Sequence, residues 1–109
     1  MELPGITVQF RGHACKVLVH RYATTGNLML QLMNMDGTIP MATATINLPG
    51  HKLPDTHVLI KDYSENTGMV QALEDAGVIG DDAIKWSKDP GMAFVFVPDL
   101  PRGRRHSLL

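Results

Sequence analysis

The sequence predicts an α+β fold: an antiparallel sheet of five or six strands with one α-helix packed on one face. Three observations carry that expectation. Short apolar runs alternate with a period of two over most of the chain, turn residues separate them at close intervals, and one stretch after residue 64 changes to helical spacing. At 109 residues, 44% hydrophobic and 19% charged, the chain has the composition of one folded domain rather than of a disordered segment. Residues 1–100 are read as that domain and 101–109 as a flexible basic tail.

The first strand is expected over 6–11, where Ile6, Val8 and Phe10 alternate with Thr7, Gln9 and Arg11. Gly12 punctuates, and a second strand follows with Cys15, Val17 and Val19 on its core face. "TTGN" at 24–27 is turn chemistry. The run after it sets Leu28, Leu30 and Leu32 against Met29, Gln31, Met33 and Met35, and its bracketing by Gly-Asn and Asp36-Gly37 favours a strand over a helix.

A fourth strand is expected over "MATATINLPG", with Ala42, Ala44, Ile46 and Leu48 inward. Such small inward residues predict a bulky element, the helix, lying close over it. "THVLIKDY" supplies a fifth strand. The following helix is expected to be capped by Ser64 or Asn66, with Glu65 near the positive end of its dipole. Met69, Leu73 and Ala76 lie at helical spacing, Val70 and Ala72 widen the stripe, and Gly77 stands where a left-handed C-terminal residue belongs. Residues 80–91 read as a charged loop containing Ile84 and Trp86. "MAFVFVP" closes the sheet as a strand whose continuous apolarity predicts a central position, covered on both faces.

Composition narrows the function classes. A net charge of −1 gives no general basic field for nucleic acid or an anionic membrane, so such binding would fall to the local cluster Arg102, Arg104, Arg105 and His106. A single cysteine forms no internal disulfide. The opening residues carry Glu2 and Pro4 where a secretory signal needs a basic end and an apolar core, and no apolar run approaches the roughly 20 residues of a membrane span. The expected location is cytoplasmic.

No residue cluster has the spacing of a known catalytic or metal site. Asp62, Ser64 and Asn66 match positions 1, 3 and 5 of a calcium loop, yet Thr67 and Leu73 stand where that loop needs Gly and Glu. On a strand His13 and Cys15 share a face while His20 points away. Only two zinc ligands therefore converge unless His51 or His57 joins them. Cys15 as a nucleophile with His13 as base would need an open, electropositive setting, which its line with Val17 and Val19 argues against. The acidic residues Asp81, Asp82 and Asp89 read as solvated. No metal, cofactor or catalytic residue is expected.

The segments "TINLPG" (45–50), "IKDYSENTGMVQALEDAGVI" (60–79) and "GMAFVFVPDL" (91–100) resemble an uncharacterised family of short proteins encoded by bacteria, plasmids and phages. The likeness covers roughly residues 28–100, and its motif matches at Ser64, Glu65, Asn66, Gly68 and Met69. Met92-Ala93-Phe94 departs from the G-F-V that opens the family's closing strand, and the 80–91 loop is longer and more charged. The resemblance implies a mobile-element setting and no particular reaction.

The resulting expectation is a small protein that works by binding a host or defence protein, such as a CRISPR effector. Contacts are expected at Asp62, Tyr63, Glu65 and Asn66 on the strand-to-helix corner, at Trp86, and on the methionine face. The alternatives are a nucleic-acid accessory protein using the tail with Lys85 and Lys88, and a metal or thiol enzyme built on Cys15 and the histidines. Sheet edges also admit a homodimer.

Overall fold

The computed structural model describes residues 1–80, 85–86 and 91–96. Its strands are β1 (Val8–Phe10), β2 (His13–Arg21), β3 (Leu28–Asn34), β4 (Pro40–Thr43), β5 (His57–Lys61), β6 (Lys85–Trp86) and β7 (Met92–Phe96). A 3-10 turn (Ser64–Asn66) and the helix α1 (Met69–Asp75) lie between β5 and β6. The fold is α+β with antiparallel pairing, but the single sheet of five or six strands is replaced by two sheets. One has the order β1-β2-β3-β4 and the other β5-β7-β6.

The division arises in the segment after β4, where a full strand was expected. The Ala44 N–H donates to the Leu30 carbonyl of β3 at 2.8 Å, while the Ala44 carbonyl accepts the Lys61 N–H of β5 at 2.9 Å. Ile46 N–H then donates to Leu59 O at 2.9 Å. These three backbone groups find their partners by changing sheets. Alternation fails here for the same reason: Ala44 and Thr45 are consecutive and both buried. The Thr45 hydroxyl, expected outward, lies 2.9 Å from the Tyr22 hydroxyl and accepts the Leu30 N–H at 3.3 Å.

Elsewhere the period-two pattern holds except at the β3 irregularity, where Leu32 and Met33 are consecutive and both buried. Val8 and Phe10 are buried around exposed Gln9, and Cys15, Val17, Leu28, Leu30 and Leu32 are all buried. Met69, Val70, Ala72 and Leu73 close this core from α1. The helix packs chiefly on β1 and β5 rather than over the small residues of β4. Its C-terminus forms a Schellman motif, in which Val78 N–H donates to Leu73 O at 2.9 Å and Gly77 N–H to Glu74 O at 3.0 Å.

In the second sheet β7 is central, as its apolar sequence predicts. Lys85 and Trp86, read as loop, form an edge strand paired with Phe94 and Ala93. Ile84, Lys88, the acidic residues Asp81, Asp82 and Asp89, the Trp86 side chain and the tail with Arg102, Arg104 and Arg105 lie outside the described part. Among the described residues no helix is long and apolar enough to cross a membrane.

Candidate functional site

The strand-to-helix corner is ordered by its own polar groups. The Asp62 carboxylate accepts the backbone N–H of Gly68, which precedes α1, and of Val70 in its first turn, each at 2.8 Å, and so satisfies two amides at the head of the helix. The cap is therefore Asp62, and the expected capping by Ser64 or Asn66 is corrected. The 3-10 turn intervenes before the helix and sets both residues to other tasks. Ser64 takes a left-handed backbone with φ of 56°, and its carbonyl accepts the Thr67 hydroxyl at 3.0 Å. Asn66 is 1% exposed and donates its side-chain amide to the Thr43 carbonyl at 2.6 Å.

Glu65 lies before α1 rather than in its first turn and pairs with Lys61 at 2.6 Å instead of serving the helix dipole. The hydrogen bond from Lys61, the largest cause, lowers the Glu65 carboxyl to about 2, and the same bond raises the Lys61 ammonium. The Lys61 ammonium also sits 5.1 Å from the centroid of the Tyr63 ring. Asp62, Tyr63, Glu65 and Asn66 thus form one corner whose side chains are held by neighbours.

Beside the corner opens a cleft of about 460 Å³. Lys61, Glu65 and Asn66 line one side, Met41, Thr43 and Ile46 another, and Phe10, Arg11 and His13 contribute from the β1–β2 turn. The turn at 64–67 meets both edges of the first sheet across this opening, one through a short hydrogen bond and the other through two long ones. Asn66 holds β4 through Thr43. At the end of β1, the Arg11 guanidinium reaches the carbonyls of Ser64 at 3.5 Å and Thr67 at 3.4 Å.

Sequence reading brought Glu65 and Asn66 to this cleft and missed Arg11, Thr43 and Lys61 as part of it. A signal existed for Arg11: "FRGH" puts a long cationic side chain at a two-residue hairpin turn, where Asn or Gly is the usual choice. The approach of Thr43 to Asn66 spans 23 residues and left no local trace.

The other candidates separate. Cys15 is fully buried, and burial pushes its thiol up, so it packs the core where a thiol nucleophile would need access and a lowered pKa. His13 is exposed on the same strand. Among the described residues no three His, Cys, Asp or Glu side chains are grouped to hold a metal. The methionine face is divided, with Met33 buried, Met29 half-buried and Met35 exposed in the β3–β4 turn. Compared with known proteins, the chain matches no family model, no curated protein and no solved structure.

Proposed function

We propose that the protein acts by binding a protein partner, with the cleft beside the 62–66 corner as the contact surface. The observation that carries this reading is the cleft itself: an indentation with apolar walls and convergent polar groups, bordered by a corner whose side chains are already fixed. Fixed side chains bind at a lower entropic cost than free ones. Tyr63, with the Lys61 ammonium over its ring, provides the aromatic surface common at protein contacts.

The resemblance to mobile-element proteins favours a host or defence protein, such as a CRISPR effector, as the partner, and action as an inhibitor or adaptor. The same reading makes the chain a non-enzymatic cytoplasmic protein and leaves Trp86 as a second contact candidate. Capture from a lysate of the cells that carry its gene tests the binding reading. The intact chain is compared with Thr43→Tyr, which puts bulk into the cleft from an exposed position, and with Tyr63→Ala. A protein retained in stoichiometric amount by the intact chain and lost with both folded variants is the expected result. Equal retention by all three would place the contact elsewhere.

A further inference from the structure

Resting on that binding reading, we infer that the cleft takes an acidic side chain on an apolar peptide segment of the partner, with Arg11 as the residue that recognises the carboxylate. Two independent observations carry this. The first is the charge of the lining. Arg11, His13 and Lys61 are its basic groups and Glu65 its acidic one, and Lys61 and Glu65 already neutralise each other at 2.6 Å. Among the described residues, the charge without an ion-pair partner in this lining belongs to Arg11, next to the apolar surfaces of Phe10, Met41 and Ile46. A carboxylate on an apolar stem complements both features, since guanidinium pairs with carboxylate through two parallel N–H bonds.

The second observation is the backbone at Arg11. Both central residues of the β1–β2 turn are left-handed, Arg11 with φ of 51° and Gly12 with φ of 81°. This is the turn for which Asn-Gly is the preferred sequence, and an arginine at the first position is held there at a conformational cost. Its contacts within the chain return little. Of the five guanidinium donors, only those of Nη2 reach described residues, at 3.4 and 3.5 Å, near the limit of hydrogen bonding. The guanidinium carbon stands 5.5 Å from the Phe10 ring centroid, beside the cleft that both residues line. A strained residue with long, weak internal contacts at the edge of a cleft fits a residue kept for a ligand.

Nuclear magnetic resonance of the full-length protein tests this with 3-phenylpropionate as the probe, 3-phenylpropanol as its neutral counterpart and phenyl phosphate as the competing anion. The expected result is a set of shifts confined to Arg11, His13, Thr43 and Ile46 with the carboxylate, absent with the alcohol and weaker with the phosphate. In Arg11→Asn the affinity for 3-phenylpropionate falls about tenfold or more, the value of a hydrogen bond between charged groups. The same variant creates Asn-Gly in the turn and raises Tm by roughly 2–5 °C. A fall in Tm would make Arg11 a structural tether through Ser64 and Thr67 and overturn the inference.

Equal shifts with the alcohol, or no confined shifts, would also overturn it. Tighter binding of phenyl phosphate would assign the cleft to nucleic acid or a phosphorylated group instead. In each of these cases capture that stays sensitive to Thr43→Tyr would leave the binding reading standing. Loss of that sensitivity would remove both.

Discussion

The Asp62 carboxylate accepts the Val70 N–H at 2.8 Å across eight residues, and its second oxygen takes the N–H of Gly68. One side chain at the end of β5 thereby fixes where α1 begins and how the intervening 3-10 turn is folded. Removing it leaves two amides at the head of a helix of only 7 residues. Asp62→Ala should cost about 1–2 kcal/mol of stability, and Asp62→Asn less, by urea unfolding. Equal stability of Asp62→Ala and the parent would show that water serves those amides as well.

Asn66 is the corner's buried anchor, and its amide bond to Thr43 O at 2.6 Å joins the turn to the edge strand of the first sheet. Asn66→Ala opens a void and strips the Thr43 carbonyl of its side-chain partner. A loss of about 1–3 kcal/mol is expected, with faster amide exchange along β4. A smaller loss with unchanged exchange would mean that β4 is held by β3 alone.

Gly91 predicts a strict size limit. Its φ is 65°, its carbonyl accepts the Asp62 N–H at 2.8 Å, and a Cβ built on it would lie 2.6 Å from the Asp62 carbonyl oxygen. Backbone cannot yield as a side chain would. Gly91→Ala should therefore destabilise by more than about 1 kcal/mol and disturb the Asp62 cap, seen as shifted Gly68 and Val70 amide resonances. Unaltered amides would place the strain elsewhere.

The Lys61–Glu65 pair gives a pH signature. Glu65 has its folded pKa depressed to about 2 from 4.5, so its contribution is present above the unfolded value and is lost as pH falls through about 2. The stability difference between the parent and Glu65→Gln should be largest at neutral pH, shrink below about pH 4.5 and vanish only below about pH 2. High salt should shrink it, because Glu65 is largely exposed. A difference independent of pH would mean that Glu65 acts through packing rather than charge.

Much of this architecture was legible wherever a single face is buried. The alternation in 6–11 and in the second strand grouped Val8 with Phe10 and Cys15 with Val17, and all four are buried; in the third strand it set Leu28, Leu30 and Leu32 apart from the methionines, and the three leucines are buried. Helical spacing likewise found Met69 and Leu73, and the turn at Gly77 ended the helix as expected. The separation into two sheets was not legible, because Ala42, Ala44 and Ile46 alternate with Thr43 and Thr45 like any edge strand. Only their partners, Leu30 on one side and Lys61 on the other, reveal the change of sheet. The cap was misplaced for a related reason: "DYSEN" holds three residues able to cap, and the left-handed Ser64 decides among them. The cleft joins Arg11, Thr43 and Glu65 from three distant segments, and such convergence leaves no periodic trace.

Whether the cleft beside the 62–66 corner binds a protein partner is decided by the capture comparison. Lysate from the cells that carry the gene is passed over the intact chain, Tyr63→Ala and Thr43→Tyr, with the fold of each variant verified by its amide spectrum. One protein held in stoichiometric amount by the intact chain and released by both substitutions is the expected result. A partner held equally by all three, or none held by the intact chain, would contradict it.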